Sequence, residues 1–115
     1  MGLFVEFDAL ELGFPEDVSG GNEKIGYETV FVDYSEACEA FVETFLDIAT
    51  TLVPVDTGYL RSTIIADTDG YSYCMAEASA EYAQYVEYGT FRMPAQPYFT
   101  PAYNTAMKNF MNLAN

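Results

Sequence analysis

The sequence predicts an α+β domain: a long N-terminal amphipathic helix packed on a small antiparallel sheet, with shorter C-terminal helices. Three observations predict it. Apolar residues recur at helical spacing from Tyr34 to Val53. A β-branched run, a D-T-D-G turn and an alternating run follow between Thr63 and Ala78. Thr100-Pro101 then opens a last segment with one apolar face.

The elements follow in order. Leu3 to Phe7 is short and apolar-rich and suits an edge strand. Gly13 to Gly26 carries Gly13, Pro15, Gly20, Gly21 and Gly26 with acids between them, so it reads as a loop. Tyr27 to Val32 alternates weakly and reads as a strand. Residues 1–32 read as an N-terminal strand and loop, and 33–115 as the core of a single domain.

Asp33 is positioned to cap the long helix, with Glu36 three residues on, as in a capping box. Tyr34, Cys38, Phe41, Phe45, Ile48 and Leu52 form the apolar stripe, widened by Val42, Leu46, Ala49 and Val53. Glu36, Glu39, Glu43 and Asp47 fall on the opposite, acidic face. Pro54 ends the helix, because it disfavours helical backbone at Val53.

Asp56 or Thr57 then caps a short turn through Leu60 and Arg61. Thr63 to Ala66 and Tyr71 to Ala78 read as a hairpin about the turn Asp67 to Gly70. Ala80 to Tyr88 reads as helix, stopped by Gly89 in a left-handed conformation. Phe91 to Pro101, with Pro94, Pro97 and Pro101, reads as a stiff extended arm. Thr100 caps the final helix, whose apolar face is Tyr103, Met107, Phe110 and Met111.

Hydrophobic residues make up 50% of the chain and aromatics 17%, enough for a packed core. Ten Tyr is many for this length, and Tyr suits interfaces because a polar tip sits on a large apolar ring. Four Lys and Arg against eighteen Asp and Glu give a net charge of -14, which argues against direct binding of phosphate backbones. Cys38 and Cys74 without any His make no zinc set, and both read as small buried apolar groups in a reduced, cytosolic chain. No secretory signal, membrane span or cofactor site is legible.

Asp56-Thr57-Gly58 matches the aspartic-protease triplet, but Pro54 precedes it and bulky Tyr59 follows, where that family has an apolar strand and a small residue. Capping is the better reading. Glu77, Glu81 and Glu87 read as a solvated acidic face, since no nucleophile, base and oxyanion set accompanies them. Arg61 and Arg92 are the only arginines, and each lies inside one of two motif-rich stretches, Val55 to Ile64 and Tyr82 to Ala102. Planar pairing with carboxylates across a subunit boundary is one role for them.

Taken together, the two stretches resemble the small neck or tail-component proteins of long-tailed bacteriophages. The first stretch supplies Pro54, Val55, Asp56, Thr57, Gly58, Leu60, Arg61, Ser62 and Ile64. The second supplies Tyr82, Ala83, Tyr85, Val86, Glu87, Gly89, Thr90, Met93, Pro94, Ala95 and Pro97, then Pro101 and Ala102. Departures are Tyr98 followed by Phe99 where Phe is usual, Thr63 ahead of the strand, and an acidic rather than basic first helix.

The resemblance implies a structural virion protein and no enzyme: a head-tail connector or tail-completion component, assembled in the host cytoplasm into a ring, often six-fold. Its partners would be itself and the neighbouring neck and tail-tube proteins, with DNA passing through. It implies an interface drawn from Asp56, Thr57, Gly58, Leu60, Arg61, Tyr82, Tyr85, Glu87, Gly89, Thr90, Arg92, Met93, Pro94, Pro97 and Phe99. In such a ring the acidic face of Glu36, Glu39, Glu43 and Asp47, which the resemblance does not itself imply, is expected to line the lumen and repel DNA. A small acidic DNA mimic that occupies a host DNA-binding enzyme is the alternative, carried by charge alone.

Overall fold

The computed structural model describes residues 2–11, 34–54 and 58–114. It is an α+β arrangement whose element order is β1 (Leu3–Asp8), a short 3-10 turn (Ala9–Glu11), α1 (Ser35–Leu52), α2 (Tyr59–Ser62), β2 (Ile64–Thr68), β3 (Tyr73–Ala78), α3 (Ala83–Tyr88) and α4 (Phe99–Ala114). The expected loop at 13–26, the strand at 27–32 and the Asp33 cap lie outside the described residues.

The long helix is not N-terminal. A strand precedes it and joins a three-stranded antiparallel sheet in the order β1-β3-β2. Leu3 pairs with Ala78 and Asp8 with Tyr73 on one side of β3; Ile64 pairs with Ala78 and Thr68 with Cys74 on the other. Alternation sends Leu3, Val5, Phe7, Cys74, Ala76, Ala78, Ile64 and Ala66 towards the helices. Phe4 and Ile65 are left exposed on the other face.

α1 buries Ala37, Cys38, Phe41, Phe45 and Ala49. It packs on β2, β3 and, most extensively, α4. Its N-cap is Tyr34, with no side-chain cap bond. Leu52, expected in the apolar stripe, is exposed, because the helix ends there and Val53 turns inward instead.

Edge-to-face aromatic pairs knit the layers. Phe7 of β1 meets Phe41 at 5.2 Å and Phe110 at 5.1 Å between ring centroids, and Phe45 meets Phe99 at 4.9 Å. Met111, expected on the buried face of α4, is exposed; Ala102, Ala106 and Phe110 make that face.

The hairpin turn lies two residues later than expected, because β2 runs on to Thr68. Asp69 holds it: its Oδ1 accepts the N–H groups of Tyr71, Ser72 and Tyr73 at 2.8, 3.0 and 3.0 Å. The Tyr73 N–H bond leads the effects that draw its carboxyl below the usual range, so it stays an anion. Cys38 and Cys74 are both free and buried, as their sequence setting suggests. Burial, then contact with the Cys38 thiol, pushes the Cys74 thiol well up, so it stays protonated.

Candidate assembly surface

The two motif-rich stretches meet in space. Asp56 and Thr57 lie outside the described residues, so their capping role does not enter here. Gly58 occupies the N-cap of α2 with φ 84° and ψ -3°, a left-handed conformation that glycine adopts without strain. Leu60 is buried beneath it, while Tyr59 and Arg61 are exposed. Tyr59 lies 6.3 Å from Tyr82, ring to ring, which joins the first stretch to the second. Thr63 makes a second link: its hydroxyl donates to the Leu60 carbonyl at 2.8 Å and accepts the Ala80 N–H at 3.2 Å. Thr63 therefore ties the first stretch to the chain just ahead of the second.

The second stretch is a closed clasp rather than an outstretched arm. Gly89 follows α3 with φ 81° and ψ 171°, a positive-φ turn but not the left-handed stop expected. A Cβ there would come 2.7 Å from the Ala95 N and 3.2 Å from the Met93 carbonyl oxygen, so the position requires glycine on two counts. Thr90 and Met93 exchange backbone hydrogen bonds at 2.9 and 3.2 Å around a tight turn. The Thr90 hydroxyl accepts the N–H groups of Arg92 and Met93, which stiffens that turn. Pro94 and Pro97 are exposed, and Met93 packs partly on the core. The chain then returns, and the Gln96 N–H donates to the Val86 carbonyl at 2.9 Å.

Glu87 closes the clasp. It was read as a solvated acid, yet it is only 3% exposed. Its Oε1 accepts the N–H groups of Tyr98 and Phe99 at 2.9 and 2.7 Å, and its Oε2 accepts that of Thr100 at 3.0 Å. The carboxylate thus caps α4, which begins one residue before Thr100, the residue expected to cap it. Burial pushes the Glu87 carboxyl up, but the Thr100 side chain and the three N–H groups outweigh it and hold the group below its usual value. Tyr98 is fully buried and donates its hydroxyl to the Ala83 carbonyl at 3.0 Å, which pins the clasp from beneath.

The expected interface residues therefore divide. Leu60, Glu87 and Phe99 are enclosed in the chain itself. Arg61, Tyr82, Tyr85, Thr90, Arg92, Pro94 and Pro97 are exposed. Tyr59, Tyr88 and Phe91 belong with them and were missed. The signal was available: Tyr82, Tyr85 and Tyr88 repeat every three residues, which puts them along one helix face. Tyr88 is 68% and Phe91 93% exposed, and the Arg92 guanidinium sits 5.2 Å from the centre of the Phe91 ring. The stability of a monomer does not require such a surface.

Glu36, Glu39, Glu43 and Asp47 are all exposed along one side of α1. Their spacing makes neighbours of like charge, so the stripe slightly opposes the helix that carries it. Among the described residues no group of three or more His, Cys, Asp or Glu could hold a metal ion, and no helix is long and apolar enough to cross a membrane. No protein-family model, curated protein or solved structure matches this chain.

Proposed function

We propose that the protein is a structural component of a tailed-phage virion, forming a homo-oligomeric ring at the head-tail junction or the tail end, with DNA passing through it. The joint order and spacing of the two motif-rich stretches carries this reading. The exposed aromatic surface supports it, because Tyr, Phe and Arg are the residues that dominate stable protein contacts. Rigid backbone supports it too, since a surface held by Gly89, Thr90 and Glu87 loses little freedom on binding. The stripe of Glu36, Glu39, Glu43 and Asp47 would face the lumen and keep passing DNA from adhering, with repulsion reaching over a Debye length of about 8 Å.

Electron microscopy of the purified protein tests the reading. Rings with an axial channel, and the chain found in purified phage particles, are the expected results. A monomer absent from particles that instead captures a host DNA-binding enzyme would replace the ring with the DNA-mimic reading.

A further inference from the structure

The chain has only two cysteines, on different elements, and the fold brings them together. Their meeting follows from the register. Cys74 pairs with Phe7 across β3 and β1, so both side chains leave the sheet on the side that faces the helices. The Phe7 ring meets Phe41 of α1 at 5.2 Å between centroids. Cys38 stands one turn before Phe41, on the same buried face of the helix. The packing that seats Phe41 on Phe7 therefore seats Cys38 over Cys74, and the two thiols are in hydrogen-bonding contact. Small neighbours permit the approach: Ala37 beside Cys38 and Ala76 on the same face of β3 are both buried.

We infer that Cys38 and Cys74 form a redox-active dithiol, at which a small-molecule disulfide such as oxidised glutathione is reduced while α1 becomes covalently joined to the sheet. The inference stands apart from the ring reading and uses none of its surfaces. One cysteine, as thiolate, displaces half of the reagent disulfide, forming a mixed disulfide and releasing one thiol. The second cysteine attacks the protein sulfur of that mixed disulfide, forming the Cys38–Cys74 bond and releasing the other thiol. Two protein thiols are oxidised, one reagent disulfide is reduced to two thiols, and the two cysteine protons end on the released thiolates.

Both cysteines are 0% exposed, so the first attack needs a brief opening of the layer between α1 and the sheet. A bulky mixed disulfide does not fit the close-packed layer, so reclosing favours its expulsion by the second thiol. In a reducing compartment the pair persists as thiols; in an oxidising one it becomes a lock between α1 and β3.

The test refolds the reduced full chain in glutathione buffers of graded ratio and reads intact mass after free thiols are trapped with N-ethylmaleimide. The folded chain should lose two hydrogens and take up no label, and peptide mapping should join the segments around Cys38 and Cys74. The bond should be favoured roughly 100-fold more in the folded chain than in denaturing urea, because whatever the bond adds to the fold the fold returns to the bond. The oxidised chain should melt roughly 10 °C above the reduced one, and dithiothreitol should reverse the rise. Cys38→Ala and Cys74→Ala should each gain nothing on oxidation, a comparison within each variant that removes the effect of the buried substitution. The wild-type equilibrium decides the matter if either variant fails to fold.

Disulfide geometry is specific, so a poorly placed pair would show itself as strain. A bond no more favoured in the folded chain than in urea would overturn the inference. So would glutathione left attached to the folded wild type, disulfide-linked dimers in place of the internal bond, or an oxidised chain that melts no higher than the reduced one.

Discussion

The α1–α4 layer and the α3 clasp use aromatic side chains in opposite ways. In the layer, Phe41, Phe45, Phe99 and Phe110 are buried against each other and against the sheet. In the clasp, Tyr82, Tyr85, Tyr88 and Phe91 face outward. The layer is held by dispersion and the loss of apolar surface from water, which do not depend on pH. The clasp is held by a buried carboxylate and three backbone amides, so its integrity depends on one charge. The comparison teaches that the surface best suited to contact is held to the edge of the core, at the start of α4, by polar means.

The strongest way to break that contrast is in the layer. Phe41→Ala removes a fully buried ring and should cost about 3–5 kcal/mol in urea unfolding, with the whole chain losing stability together. A loss under about 1 kcal/mol would show that this layer is not the cooperative core. In the clasp, Glu87→Ala leaves three amides without their acceptor and should cost about 2–3 kcal/mol. Hydrogen exchange should quicken at Tyr98, Phe99 and Thr100 before it does in α1. Glu87→Gln keeps an acceptor oxygen and should lose less. No loss at all in Glu87→Gln would mean that the charge is immaterial.

Gly89→Ala should cost about 2 kcal/mol from positive φ, with more from the clash against Ala95. Its effect should also stay within the clasp.

The pH dependence separates the two regions, because the clasp rests on a carboxylate and the layer does not. Glu87 has a folded value below its ordinary one, so its contribution is complete above the ordinary carboxylate value of 4.5. It falls away as pH drops through the lowered folded value. Acid should therefore open the clasp, and Glu87→Gln should flatten that part of the acid limb. Identical acid limbs in the wild type and Glu87→Gln would contradict the assignment.

The smallest effect belongs to the stripe on α1. Changing Glu39 and Glu43 to Gln relieves like-charge neighbours and should raise stability by about 0.2–0.5 kcal/mol per pair. A loss instead would show that these carboxylates have favourable partners. In the phage setting, unaltered DNA retention and ejection in the fully neutralised stripe would remove the proposed lumen role.

Local patterns reached a definite distance. The helical spacing of Cys38, Phe41 and Phe45, the alternation of the hairpin and the Pro101 signal near the last helix were legible because each depends on neighbours within a few residues. The hairpin turn was misplaced because Asp69, not Asp67, collects the amide bonds. The candidate surface was half legible. Its tyrosines stand at regular spacing, but their exposure depends on what lies over them. Glu87 was misread because its partners are eleven to thirteen residues away, across a return of the chain that no period announces.

The sequence by itself determined the fold class, the identity of the long helix and its acidic side, and the need for glycine at Gly58 and Gly89. These follow from side-chain period and backbone sterics, which act locally. Only the tertiary structure decided that β1 closes the sheet and that Tyr59 meets Tyr82 to join the two stretches. It alone decided that Glu87 is a buried cap and that Phe91 and Arg92 are left at the surface. Those outcomes depend on which distant groups come within hydrogen-bond reach and which surface stays wet, and the folded chain sets both at once.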